Sequence, residues 1–195
     1  MKLPLNCEAA YHPVFLESNE AFALYDILLN EYKIDRARII INAGDQLVKT
    51  DSFKILFATQ ELIDRNSHPE HIHGKSFVFS GQMAKLREKV EHFTGKKFEL
   101  AMCLYYPNGN YFTPYHSDQQ TSGIETVLPS LSLGAKRSFT FRDKGSNSIY
   151  SLNLENGSLL LMKDYCQARY EHSLPKDINC QKARINITFR EAFFN

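Results

Sequence analysis

The chain predicts an α+β fold: a double-stranded β-helix, or jelly roll, with N-terminal helices packed on one of its sheets. Three observations predict it. From Phe98 to Arg190, about eight short runs rich in β-branched and aromatic residues follow one another with no helical pattern between them. Turn chemistry separates them at Asn108-Gly109, Gly145-Ser146-Asn147 and Asn156-Gly157. Ahead of them, two stretches carry apolar residues at helical spacing, and strands without intervening helices favour an antiparallel double sheet.

At 195 residues the chain is long enough for one well-buried core, so a single domain spanning 1–195 is expected, with 1–75 as N-terminal elaboration and 76–195 as the jelly-roll core. A hydrophobic fraction of 43% and a charged fraction of 23% are those of an ordinary globular protein. No run of about 18 apolar residues exists, and Met1 to Asn6 lacks the apolar stretch of a secretory signal. The expectation is therefore an intracellular protein, of cytoplasm or nucleus, without a membrane segment; the sequence is silent on oligomeric state, and a monomer is the default. A formal charge of +1 neither announces nor excludes a nucleic-acid binder, because a local basic patch vanishes in the sum. Cys7, Cys103, Cys166 and Cys180 form no Cys-x-x-Cys pair, which argues against a zinc ribbon or a disulfide framework and for free buried thiols.

Residues 18–32 predict the first helix. Ser18 is its candidate N-cap, and Phe22, Tyr25, Leu28, Leu29 and Tyr32 form an aromatic-rich stripe read as core. Arg38 to Ile41 and Phe53 to Phe57 predict two strands around a turn at Gly44-Asp45. Gln60 to Gly74 is polar, contains Pro69 and carries His68, His71 and His73; histidines without a fixed frame are usually solvated, so a mobile loop is expected. Ser76 to Ser80 predicts a strand ended by Gly81. Met83, Leu86, Val90 and Phe93 then predict a second amphipathic helix stopping at Gly95. The strands that follow are Phe98 to Tyr106, Phe112 to Asp118, Val127 to Leu133, Arg137 to Arg142, Ile149 to Leu154, Ser158 to Met162, Arg169 to His172 and Arg184 to Arg190.

Chemistry gathers in three of these strands. His116 and Asp118 are two residues apart, so on an extended strand both point to one face and can share a cation. His172 ends another extended run, before Leu174-Pro175. In the last strand Arg184, Asn186, Thr188 and Arg190 face one way and Ile185, Ile187 and Phe189 the other. Alone, that pattern describes a half-buried strand with its polar side in water. Together, two histidines and one carboxylate make the facial triad of non-haem Fe(II) oxygenases, which leaves three coordination positions open. A 2-oxo acid takes two of these and dioxygen the third. A guanidinium at the far end of the pocket would hold the distal carboxylate of the 2-oxo acid, and Arg190 would do so if its strand lies beside that of His172.

His116-x-Asp118, the distant His172 and Arg184-x-Asn186-x-Thr188-x-Arg190 resemble the signature of the AlkB-like Fe(II)/2-oxoglutarate dioxygenases. The likeness runs from about Ser76 to Arg190 and includes Phe77-Val78-Phe79-Ser80-Gly81, Ser132-Leu133-Gly134 with Arg137, Gly157-Ser158-Leu159-Leu160 and His172-Ser173-Leu174-Pro175. The resemblance implies that His116, Asp118 and His172 bind Fe(II), that Arg190 pairs with the distal carboxylate of 2-oxoglutarate, and that Arg184 and Asn186 orient its other end. Tyr106 matches the Tyr of the family's Asn-x-Tyr motif, which contacts the co-substrate; the Asn position is Leu104 here. The resemblance further implies oxidative demethylation of N-alkylated bases in DNA or RNA, with O2 consumed and succinate, CO2 and formaldehyde released. Residues 1–75 would then include a substrate lid, and Phe77, Phe79 and Tyr111 would form the wall that grips a base. The chain lacks Trp, and residues 42–75 depart from the family's Pro-Arg element and aromatic lid. A protein side chain or small metabolite is thus the alternative substrate, and a catalytically silent binding module a third reading.

Overall fold

The computed structural model describes residues 1–43, 46–66, 68–118 and 127–191. Its strands are β1 (Ala9–His12), β2 (Arg38–Ala43), β3 (Gln46–Ala58), β4 (Lys75–Val78), β5 (Leu100–Tyr106), β6 (Thr113–His116), β7 (Leu128–Gly134), β8 (Arg137–Asp143), β9 (Ile149–Leu154), β10 (Ser158–Met162), β11 (Tyr170–Leu174) and β12 (Arg184–Arg190). They form two sheets. The larger runs β1-β10-β7-β12-β5-β3-β2 with β4 also beside β3, and the smaller runs β6-β11-β8-β9. Pairing is antiparallel except between β3 and β4. Every strand expected from Phe98 onward is present, with ends moved by one or two residues. The predicted turn at Gly44-Asp45 lies outside the described residues.

The alternation in β12 explains the layering. Ile185, Ile187 and Phe189 are wholly buried in a core shared with the helices α1 (Ser18–Asn30) and α4 (Gly81–Thr94). Arg184, Asn186 and Thr188 point the other way and are also buried, at 1%, 8% and 7% exposure. The polar side of this strand therefore does not face water. It lines a cleft to which the small sheet contributes Thr113, His116, Phe139, His172 and Leu174.

Several expectations need correction. The cap of α1 is Glu17, whose backbone N–H donates to the Glu20 carboxylate at 3.0 Å, so the helix is closed by its own third residue rather than by Ser18. Its buried stripe is Ala21, Leu24 and Leu28; Phe22 lies about 100° around the helix from Ala21 and is 56% exposed. In α4, Met83, Leu86 and Val90 are buried as expected, but Phe93 is 44% exposed and leans on His12 and Phe15. Gly95 ends α4 in the left-handed region, at φ 70°, where a side chain would be strained.

The segment expected to be a loop holds two one-turn helices, α2 (Gln60–Asp64) and α3 (Glu70–His73). Leu62 anchors the first in the core, and Pro69 precedes the second where no backbone N–H is needed. One turn is too short to show a period. For the same reason the four-residue strand β1 and the short helix α5 (Cys166–Arg169) were not foreseen.

Cys7 and Cys166 form a disulfide, with Cα atoms 5.1 Å apart, whereas Cys103 and Cys180 are free. The reading of four free thiols fails because β1 pairs antiparallel with β10, Ala9 facing Met162, which brings Cys7, two residues ahead of β1, to Cys166 at the start of α5, four residues past β10. No helix among the described residues is long and apolar enough to cross a membrane.

Candidate functional site

β6 and β11 are neighbours in the small sheet, and His116 and His172 are directly opposite each other, with ring centroids 4.3 Å apart. Directly opposed residues project to the same face, so the pairing alone brings both imidazoles into the cleft. Asp118 lies two residues past His116. Its carboxylate Oδ2 is 3.3 Å from Nε2 of His172, and Oδ1 forms an ion pair with Arg190. The three residues offer ligand atoms that lie within 4.8 Å of one another. His116 Nδ1 donates to the Pro114 carbonyl at 2.9 Å, which leaves Nε2 to face the cleft as a ligand. The His172 ring is 5% exposed and stacks on Phe139 at 5.4 Å.

Burial alone would raise the Asp118 carboxyl pKa. The hydrogen bond from His172 and the adjacent Arg190 charge outweigh that cost and hold it well below the usual carboxylate range. Two imidazoles and an ionised carboxylate are a donor set suited to Fe(II).

The other end of the cleft is cationic. Arg184 is 1% exposed; its Nη2 donates to Ser132 Oγ and Asn186 Oδ1, both at 2.9 Å, and its guanidinium lies 5.5 Å from the Tyr106 ring. Among the described residues no carboxylate contacts it, and its Nε has no partner. Burial pulls its pKa down to about 10, so it stays charged at neutral pH. Asn186 Oδ1 also accepts from Ser130, and Asn186 Nδ2 donates to Thr188 Oγ1 at 2.7 Å. Tyr106 shares a hydroxyl hydrogen bond of 2.8 Å with Thr113. A buried cation with polar neighbours and no anion fits an anionic ligand better than it fits an empty core.

Arg190 is not at that far end. Its strand β12 pairs with β5 and β7, and His172 is on β11 in the other sheet, so the two face each other across the cleft rather than lying side by side. Arg190 therefore stands at the metal end, beside Asp118, with its own Nε unpartnered. Leu104, at the position of the missing Asn, also lines the cleft.

Phe77 and Phe79 are not at the cleft. They pack on Phe57 at 5.7 and 6.2 Å, on the helix side of the large sheet, and Phe77 also meets Tyr32 at 4.9 Å. Tyr111 belongs to the cleft-side core, with its ring 5.9 Å from Phe53 and its hydroxyl accepting from Arg38 at 3.3 Å. His68 and His73 meet edge to face at 5.2 Å, and among the described residues the only metal-suited cluster is His116, Asp118 and His172.

Gln167 carries no sequence signal of its own, and Arg137, which belongs to the resemblance, was given no role there. Gln167, on α5, is 3% exposed, and its Oε1 accepts the backbone N–H of Asp118 at 2.9 Å. Arg137, 1% exposed, donates to the carbonyls of Asn108, Tyr111 and Pro175, tying the loop after β5 to the end of β11.

Comparison with known proteins gives one family. The profile described as "2OG-Fe(II) oxygenase superfamily" matches residues 8–190. Alpha-ketoglutarate-dependent dioxygenase alkB homolog 3 of Homo sapiens is 33% identical over 118 residues, which cover 55% of this chain and 41% of that protein. DNA oxidative demethylase ALKBH2 of Homo sapiens is 28% identical over 137 residues, 60% of this chain and 52% of that protein. Uncharacterized protein R406 of Acanthamoeba polyphaga mimivirus is 30% identical over 115 residues, 58% of this chain and 60% of that protein. The chain thus spans about half the length of the curated relatives it matches. Among solved structures, OsALKBH1 superposes with a TM-score of 0.59 at 14% identity, covering 97% of this chain and 100% of that one, which is a likeness of fold.

Proposed function

Because this chain belongs to the 2OG-Fe(II) oxygenase superfamily, we propose that it is an AlkB-like oxidative demethylase of N-alkylated bases in DNA or RNA, built as one dioxygenase domain on a double-stranded β-helix. Fe(II) and 2-oxoglutarate are the cofactors of the family, with O2 as co-substrate. His116, Asp118 and His172 hold the iron, which when bound supplies the oxygen chemistry that turns 2-oxoglutarate and O2 into succinate and CO2 and oxidises an N-methyl group to formaldehyde.

The chain's own residues bind and orient. Arg184 takes the distal carboxylate of 2-oxoglutarate, with Tyr106 and Thr113 beside it and Ser132 and Asn186 fixing the guanidinium plane. With His172, Arg190 keeps Asp118 ionised, and its charge would balance a co-substrate carboxylate at that end of the cleft. Thus both arginines serve the co-substrate, with their ends exchanged relative to the expectation from the motif. The single observation that carries the co-substrate reading is Arg184: a buried cation opposite a two-histidine, one-carboxylate cluster, with no carboxylate partner among the described residues. The substrate class is supported by the curated relatives named as alkB homolog 3 and DNA oxidative demethylase.

The test is formaldehyde release, with succinate measured in parallel, across methylated DNA and RNA oligonucleotides and free nucleosides. Formaldehyde from a methylated oligonucleotide, and none from its unmodified twin, is the expected outcome. Succinate formation with no formaldehyde from any methylated nucleic acid would remove the substrate assignment and turn attention to protein side chains and metabolites.

A further inference from the structure

β2 and β4 share one edge of β3: β2 runs along it up to Phe53, and β4 begins opposite Ile55. At the junction, where β3 passes from one partner to the other, the surface opens into a groove of about 780 Å³. Gly74 forms part of its wall, so close to β3 that a Cβ there would sit 1.9 Å from the Lys54 carbonyl oxygen.

The groove concentrates positive charge on a nearly neutral protein. Lys33, Arg36, Arg38, Lys54 and Lys75 line it against the two carboxylates of Glu31 and Glu70. None of the five cations makes an ion pair among the described residues. Lys33, Arg36 and Lys75 are exposed, while Lys54 is half-buried and spends its ammonium on one long bond of 3.4 Å to the Ile72 carbonyl. Arg38 reaches over the Phe53 ring at 4.8 Å and donates to the Tyr111 hydroxyl.

Lys54 connects the groove to the cleft, although the two share no lining residue. Lys54 faces Leu104 across the β3–β5 pairing, and Leu104 lines the cleft. Burial first, and the charge of Arg190 second, lower the pKa of Lys54. Five cations with no ion pair among the described residues, in a groove that Lys54 links to the cleft, match the repeating charge of a polyphosphate chain.

Resting on the demethylase reading above, we propose that this groove is the docking track for the phosphodiester backbone of the nucleic-acid strand whose base enters the cleft. Lys33, Arg36 and Lys75 contact successive phosphates at the outer end, and Lys54 contacts the phosphate nearest the iron.

The experiment uses the full chain and a fluorescein-labelled, unmodified single-stranded oligonucleotide, with Kd measured as a function of salt. The probe needs no methyl group, because phosphate contacts are indifferent to the base. The triple variant K33E/R36E/K75E is expected to bind at least about tenfold more weakly at low salt. Its log–log salt slope should fall by about two, at roughly 0.7 per phosphate contact on a single strand. Demethylation of a free methylated nucleoside should be unchanged, which shows that the variant is folded and its cleft intact. An unchanged Kd and slope in the variant would overturn the proposal, as would displacement of the oligonucleotide by inorganic phosphate at equal phosphate concentration, which marks a site for a lone anion. The two readings fail separately. Methylated oligonucleotide demethylated with an unchanged KM by the triple variant sinks the groove alone; no formaldehyde from any methylated oligonucleotide or nucleoside sinks the demethylase reading that the groove serves.

Discussion

Replacing Arg184 by Met should separate two quantities that usually move together, the affinity for 2-oxoglutarate and the stability of the unliganded protein. The guanidinium is 1% exposed and is held by two hydrogen bonds of 2.9 Å to neutral oxygens, with Nε left over. Breaking a desolvated, charge-assisted carboxylate pair costs about 2–5 kcal/mol. At about 1.4 kcal/mol per decade, that weakens 2-oxoglutarate binding by roughly thirty-fold to a few thousand-fold. The unliganded protein loses two neutral hydrogen bonds, about 0.5–1.5 kcal/mol each. Removing a buried, uncompensated charge and filling its volume with an apolar chain offsets that loss. Its Tm should therefore stay within a few degrees of wild type.

The assay is titration with Mn(II) in place of Fe(II), together with Tm in the presence and absence of 2-oxoglutarate. Wild type at about 100 times Kd should gain about 2.7 kcal/mol from the ligand, and the variant at most about 0.9 kcal/mol at the same concentration, falling to almost none at the weaker end of that range. 2-Oxopentanoate, which has no distal carboxylate, should bind both proteins alike. Equal 2-oxoglutarate affinity in the two proteins would refute the assignment of Arg184, and a variant that discriminates against 2-oxopentanoate as wild type does would show that the distal anchor is elsewhere.

Gln167→Leu removes the acceptor for the Asp118 N–H and should lower Mn(II) affinity by about 10–100-fold, with Gln167→Glu retaining more of it because an acceptor oxygen remains; equal affinity in wild type and Leu variant would show that Asp118 needs no such support. His172→Ala and Asp118→Ala should each abolish succinate formation, and turnover surviving in either would mean that the metal is held elsewhere. Asp143 accepts backbone N–H groups from Ser146 and Gly145 and pairs with Arg169, which holds its pKa at about 2 against an ordinary 3.8. Its contribution to stability is therefore complete above pH 3.8 and lost as the pH falls through about 2, so Asp143→Asn should lower Tm at neutral pH, where that contribution is complete, and flatten the acid limb of a Tm-against-pH curve in that window. Alkylation without reductant should label two of the four cysteines after unfolding, and in the native protein only Cys180, because Cys103 is fully buried with its thiol pKa pushed up; four labelled thiols would contradict the Cys7–Cys166 link.

Most strands after Phe98 were legible because they are long enough to show a period and are closed by turn residues; the four-residue β6 was legible through the His116-x-Asp118 pair that continues it. The metal ligands were legible as well: HxD and the distal His combine residue types with a strand geometry that serves one purpose. The placement of Arg190 was not, because alternation tells which face a residue shares but not which strand becomes its neighbour. Phe77 and Phe79 illustrate the same gap. Their spacing puts them on one face, and only the large sheet decides that this face meets α1 and α4 instead of the cleft. Gln167 and the Cys7–Cys166 pair were invisible for a different reason. They are contacts between segments 49 and 159 residues apart, made by isolated residues without a pattern.

The direct opposition of His116 and His172 also ties iron to the folding of the small sheet. Side chains alternate from face to face, so a slip of one residue between β6 and β11 would turn one imidazole away from the other. A chain misaligned in this way keeps its backbone hydrogen bonds and loses its metal. Iron binding thus discriminates between the correct pairing and its nearest error, in a four-stranded sheet where β6 is a short edge strand with only one neighbour to hold it. Loading with metal during refolding should accordingly raise the yield of correctly paired protein, beyond any stability it adds once folding is complete.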